Sequence, residues 1–124
     1  MRITADTNVQ VRAVVGDAPS QSTAAIAALR GAEQIAVALS ALGEFVWVLR
    51  RVYDFPVAEI TAAIRALMEA GNVSLDRAAV EMGLLQLEAG GDFADAVIAH
   101  EGQWLGGDTF LSFDRKAVAL LQEQ

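Results

Sequence analysis

Short apolar runs alternate along the chain with longer stretches in which apolar residues recur every three or four positions. The short runs predict buried β-strands, and the longer stretches predict amphipathic helices. Four strands are predicted, at Arg2–Asp6, Gln34–Leu39, Val73–Leu75 and Thr109–Phe113. Because helical patterns separate the strands, we expect an α/β fold whose sheet is mostly parallel and covered by helices on both faces.

Polar residues and prolines mark the beginnings of several predicted helices. Ser40 precedes a helix expected from about Ala41 to Tyr53, and Pro56 opens the next one. Asp76 precedes a fifth helix. No repeat, linker or low-complexity segment interrupts the pattern, so residues 1–124 are expected to form a single domain.

Composition and charge narrow the possible classes of function. No apolar run reaches the roughly 20 residues of a membrane helix, and the first residues do not resemble a signal peptide. We therefore expect a cytoplasmic protein with no membrane partner. Sixteen acidic residues against nine basic ones give a formal net charge of −7, which excludes nucleic-acid binding by a generally basic surface. Acidic residues at a nucleic-acid site would need a metal ion to neutralise them.

The segment GGDFADAVIAH, residues 90–100, carries the most distinctive acidic pair. Asp92 and Asp95 stand three residues apart at the start of an apolar helical run, so their carboxylates lie near one helix face. Like charges at this spacing repel unless positive charge is close. The pair is therefore either a helix cap, in a capping-box spacing, or part of a cation site.

The predicted topology places further acids near this pair. Ligands of parallel sheets bind outside the carboxyl ends of the strands, where Asp6 and Asp114 are expected. Each of these aspartates could also simply cap a helix. Glu44 lies too deep in its helix to cap it and has apolar neighbours, so its carboxylate needs a partner.

The donor types indicate which cation such a site would hold. The chain has no cysteine and a single histidine, His100, which we expect to be a surface or packing residue. Ligation by carboxylate oxygens alone suits Mg²⁺ or Mn²⁺ better than Zn²⁺.

Four segments, in order and together spanning nearly the whole chain, resemble the PIN domain family. They are ADTNVQVRAVVGD, LGEFVWVLRRVY, GGDFADAVIAH and DTFLSFDRK. More narrowly, they are similar to VapC-type toxins of bacterial toxin–antitoxin pairs. The resemblance implies a three-layer fold with a central four- or five-stranded, mostly parallel sheet. It also implies a Mg²⁺- or Mn²⁺-dependent endoribonuclease that hydrolyses RNA, binds a cognate antitoxin and forms a homodimer.

Matched motif by motif, the resemblance assigns a role to seven residues. The four catalytic acids fall on Asp6, Glu44, Asp95 and Asp114, of which Asp6, Asp95 and Asp114 would bind the metal. Supporting positions fall on Asn8, Asp92 and Ser112. Gln10 departs from the family pattern, which commonly has an apolar residue there. The alternative hypothesis is an acidic α/β interaction or signalling module that binds a metal without catalysis, although a receiver-like arrangement fits poorly.

Overall fold

The computed structural model describes residues 1–123, which form three β-strands and seven α-helices. The chain divides into two compact units, Met1–Leu75 and Asp76–Gln124. The single domain expected from the sequence stays a prediction, and each unit is described by itself. Within residues 1–123, no helix is both long enough and apolar enough to cross a membrane.

The first unit contains a small parallel sheet and four helices. Its elements are β1 (Arg2–Thr4), α1 (Thr7–Val14), α2 (Pro19–Gly31), β2 (Gln34–Ala36), α3 (Leu39–Arg51), α4 (Val57–Glu69) and β3 (Val73–Ser74). The strand order is β1-β2-β3, and both pairs are parallel. Ile35 on the central strand lies opposite Ile3 on one side and Val73 on the other. The α/β class and the parallel pairing predicted from the sequence are confirmed.

The helix beginnings follow the sequence signals with one exception. Asp6 occupies the N-cap of α1, and Pro56 occupies that of α4. Ser40 does not cap α3, because the helix already begins at Leu39 and its N-cap is Ala38. The reason is that β2 ends at Ala36, three residues before the predicted end of the strand. The turn between β2 and α3 therefore comes earlier in the sequence than predicted.

Apolar side chains of α3 and α4 form a large part of the core of the first unit. These buried side chains are Leu42, Phe45, Val46, Leu49, Ile60, Ile64 and Met68. They recur at the three- and four-residue spacing that places them on one side of each helix. The spacing also fixes which side of α3 faces outward, and Glu44 lies on that exposed side.

The second unit consists of three helices: α5 (Arg77–Glu88), α6 (Phe93–Trp104) and α7 (Arg115–Gln122). Asp76 caps α5 as predicted, since its side chain accepts a hydrogen bond from the Ala79 amide. Helices α5 and α6 meet where Gly83 faces the ring of Phe93, which is fully buried. The ring fills the space that a side chain at position 83 would occupy.

The predicted strand Thr109–Phe113 is not observed, and the sheet within residues 1–123 has three strands rather than four or five. The segment has the threonine and aromatic residues that favour strands, but such residues form a strand only when a neighbouring strand supplies hydrogen bonds. Here Leu111 and Phe113 are 92% and 105% exposed. The sequence pattern predicted the propensity of this segment correctly and its pairing wrongly.

The contact between Gly83 and Phe93 predicts a clear response to substitution. A methyl group at Gly83 would lie 2.5 Å from Cε2 of Phe93, so the buried ring must move. We expect Gly83→Ala to lower the free energy of unfolding by about 1 to 2 kcal/mol, because overpacking outweighs the gain in helix propensity. Urea denaturation followed by circular dichroism measures this change.

Gly43 provides the matched control, since it also lies within a helix but has no atom within 4 Å of the added methyl position. Gly43→Ala should leave the stability unchanged or raise it by up to about 1 kcal/mol. Equal effects of the two substitutions would contradict the packing described for Gly83.

Candidate functional site

Asp6 follows the carboxyl end of β1 and begins α1. Its Oδ1 accepts a hydrogen bond of 2.9 Å from the Val9 amide, which satisfies one of the free donors at the helix start. The side chain is exposed, and its Oδ2 is not used in the cap. Capping and ligation are therefore compatible at this residue.

Gln10, which departs from the resemblance, supports the backbone that leads into Asp6. Its side chain is buried, and its Nε2 donates a hydrogen bond of 3.2 Å to the Ala5 carbonyl. Its Oε1 is buried without a hydrogen-bond partner among the described residues. A polar residue at this usually apolar position thus contacts the residue immediately before Asp6.

Glu44 lies in the second turn of α3 with its side chain exposed. Trp47, one turn further along α3, is an apolar neighbour of Glu44, but its indole is 59% exposed and does not bury the carboxylate. The expected partner exists and is polar: the Thr7 hydroxyl lies 3.1 Å from Oε2 of Glu44. Thr7 and Glu44 are 37 positions apart, so no pattern in the sequence indicates that they are in contact.

Asp95 is half-buried in the first turn of α6. Burial raises its pKa above the usual range for aspartate, and the negative charges of Asp92 and Asp114 raise it further. These three carboxylates of the second unit therefore share one region of negative potential. No basic side chain is among the causes that act on the pKa of Asp95.

Two glycines explain how α6 starts beside α7. Gly90 has a φ of 96°, in the left-handed region that suits the end of α5. A methyl group at Gly91 would lie 2.8 Å from Cδ1 of Leu120 and 2.9 Å from Nε2 of Gln86. A side chain at this position would displace the ends of the Leu120 and Gln86 side chains, and Asp92 follows directly.

Asp92 and Asp114 both stand at helix beginnings but use their carboxylates differently. Asp114 accepts a hydrogen bond of 3.0 Å from the Ala117 amide through Oδ1. Its own amide donates to Oγ of Ser112 at 3.0 Å, a hydrogen bond within the turn that precedes α7. Asp92 occupies the N-cap of α6 without any side-chain cap hydrogen bond. Asp92 therefore does not form the hydrogen bond of a helix cap, and its carboxylate adds negative charge near Asp95 instead.

Two other polar residues from the sequence analysis lie apart from these contacts. Asn8 is exposed in the first turn of α1, with no hydrogen bond from its side chain to the described residues. His100 is half-buried, as suits a packing residue, and its Nε2 has no partner among the described residues. It lines a cavity of about 340 Å³ in the second unit, together with Asp108 and residues of α6 and α7, but with none of the predicted acids.

The structure thus brings the predicted residues together as two sets, one in each unit. The first consists of Asp6 and Glu44, with Thr7 between them, and the second of Asp92, Asp95 and Asp114. Within residues 1–123, no three histidine, aspartate or glutamate side chains are arranged so that they could hold a metal ion. The donors in both sets are oxygens, which is the ligand type that hard divalent ions prefer.

Comparison of the chain with known protein families gave no match, and comparison with curated proteins gave none either.

The raised pKa of Asp95 predicts that Asp95→Asn stabilises the protein in a pH-dependent way. At pH 7 the folded protein holds a carboxylate that burial and two neighbouring charges disfavour, so removing this charge should raise the free energy of unfolding. Near pH 3, below the usual aspartate pKa of about 3.9, the carboxyl group is largely protonated in both states and the difference should disappear. Urea denaturation at both pH values measures this.

Glu101→Gln is the control, because Glu101 is an exposed acid on the same helix and does not contribute to the shift at Asp95. It should show no comparable dependence on pH. An Asp95→Asn protein that is less stable than the parent at pH 7 would contradict the electrostatic interpretation.

Proposed function

We propose that this protein is a PIN-type, metal-dependent endoribonuclease of the VapC class of toxins. The observation that carries the proposal is the half-buried carboxylate of Asp95, whose pKa is raised by burial and further by the negative charges of Asp92 and Asp114. Acids held together in this way favour a cation over a structural ion pair. The four matching segments of the sequence and the parallel strands of the first unit further support it.

The oxygen donors of the proposed ligands are of the type that suits Mg²⁺ or Mn²⁺. The resemblance assigns the ion to Asp6, Asp95 and Asp114, which would hold it directly or through water. Asp6 and Asp114 each use Oδ1 to cap a helix, so their Oδ2 atoms are the natural ligands. When bound, the ion lowers the pKa of a water molecule and stabilises negative charge on the phosphate.

The remaining acids have different tasks in this proposal. Glu44 orients a water molecule through the carboxylate oxygen that Thr7 does not contact. Asp92 adds negative potential beside Asp95, and Ser112 orders the turn from which Asp114 projects. Asn8 is assigned a supporting role by the resemblance alone.

RNA is the proposed substrate, and charge explains why a cation is required. A protein with a net charge of −7 repels a polyanion unless the acids at the site are neutralised. The three-layer PIN-like fold, a cognate antitoxin as partner, a homodimer and a cytoplasmic location are parts of the same proposal. They follow from the resemblance.

The proposal predicts Mg²⁺-dependent cleavage of RNA that depends on individual acids. We expect Asp6→Asn and Asp95→Asn to reduce the cleavage rate by about 100-fold or more, because each removes a charged ligand while keeping the shape of the side chain. Cleavage should stop with a chelator and return with Mg²⁺ or Mn²⁺. Gel analysis of total bacterial RNA measures the rates.

Asp76→Asn is the matched control. Asp76 caps α5 with the same hydrogen bond that Asp6 makes at α1, but it has no proposed role in the site. Since asparagine also caps helices well, each variant keeps its helix start, and Asp76→Asn should cleave as fast as the parent. If Asp6→Asn and Asp95→Asn both match the parent, the assignment of the metal site is wrong.

The toxin hypothesis predicts a phenotype that separates it from the non-catalytic alternative. Expression of the chain alone in bacteria should arrest growth, and Asp95→Asn should relieve the arrest at equal protein level. Sequencing of RNA ends after brief induction would then identify the RNA that is cut. Growth unaffected by the parent protein would favour an acidic interaction or signalling module that binds a metal without catalysis.

A further inference from the structure

We propose that Thr7 is a positioning residue that orients the carboxylate of Glu44 at the start of α1. The inference rests on the proposed function and extends it to a residue outside the predicted set. Its basis is the position of one hydroxyl group between two acceptors on α3.

The Thr7 hydroxyl lies 3.2 Å from the Ala41 carbonyl oxygen and 3.1 Å from Oε2 of Glu44. Ala41 and Glu44 are three residues apart on α3, so both acceptors lie on the same side of the helix. The hydroxyl has one proton and donates to one acceptor at a time. A carboxylate is a stronger acceptor than a backbone carbonyl, and the hydrogen bond to Glu44 should therefore prevail.

Among residues 1–123, the Thr7 hydroxyl is the one group that forms a hydrogen bond or ion pair with the Glu44 side chain. This side chain is exposed, and a free glutamate distributes its carboxylate over several staggered rotamers. Threonine is suited to hold it, because branching at Cβ restricts χ1 and therefore the direction of the hydroxyl. Thr7 is half-buried at the first position of α1, which fixes its own backbone.

The position of Thr7 in the chain also links the two acids of the first unit. Asp6 caps α1, and Thr7 is the next residue. The hydrogen bond to Glu44 therefore ties the start of α1 to the second turn of α3. With Oε2 held by Thr7, Oε1 of Glu44 is the oxygen available to a water molecule or a hydrated cation.

The test compares Thr7→Val, which removes the hydroxyl and keeps the branched shape, with Thr7→Ser, which keeps the hydroxyl. We expect Thr7→Val to lower kcat for Mg²⁺-dependent RNA cleavage about tenfold, the size of effect typical of one hydrogen bond to a charged group, with little change in KM. Thr7→Ser should restore most of this loss. Thr4→Val is the control for the same chemical change, because Thr4 is an exposed strand residue whose hydroxyl contacts no described residue.

Two further measurements separate positioning from a general structural effect. In a Glu44→Gln background, Thr7→Val should reduce kcat much less than in the parent, since residues that act through one another are not additive. Side-chain coupling constants of Glu44 by NMR should show one dominant rotamer in the parent and averaging in Thr7→Val. Neither result follows from a change in global stability.

The outcomes distinguish this inference from the proposed function. If the parent cleaves RNA and Thr7→Val cleaves equally fast, the positioning role is overturned and the ribonuclease proposal stands. If the parent does not cleave, the ribonuclease proposal fails, and the Glu44 couplings decide the positioning role alone. Averaged couplings in the parent would overturn it.

Discussion

The close approach of Gly91 to α7 is the constraint on which the second unit depends. Leu120 and Gln86 occupy the space where any other residue would place its Cβ, and Gln86 is itself fully buried. Gln86 also reaches the Ala117 carbonyl in α7, at a distance of 3.5 Å. Because α6 begins immediately after this contact, the contact helps to fix where Asp92 and Asp95 lie, and Asp95 is close enough to Asp114, the N-cap of α7, for the two charges to interact. The like-charge repulsion at Asp95 is thus a consequence of packing.

Repulsion of this kind lowers the stability of the folded state, and a fold retains it only where other contacts compensate. The compensation here is local. Asp114 gains a cap hydrogen bond from the Ala117 amide, and its backbone is held by Ser112. Asp6 in the first unit gains the equivalent bond from Val9. An aspartate that caps a helix through one oxygen and presents the other is stabilised by its own backbone, so capping and a role in a cation site reinforce each other.

Much of the fold could be predicted from the sequence because its helices follow periodic apolar positions. The buried stripe of α3, from Leu42 to Leu49, and the caps at Asp6, Asp76 and Asp114 are all local signals. The failures concern contacts between distant residues. Thr109–Phe113 has strand propensity, but pairing depends on a partner that the segment itself cannot specify. The hydrogen bond between Thr7 and Glu44 joins residues 37 positions apart, so no periodic pattern in the sequence predicts it.

The charges around Asp95 also bear on the choice between a structural and a functional interpretation of the acids. A structural ion pair would lower the pKa of an aspartate, since a nearby cation favours the ionised form. All the causes that act on Asp95 raise its pKa instead, although Arg115 and Lys116 follow Asp114 directly in the sequence. The basic residues next to Asp114 therefore do not lower the pKa of Asp95. In the proposed function, a divalent cation would supply positive charge to these acids, and the same ion would let an acidic protein approach the phosphates of RNA.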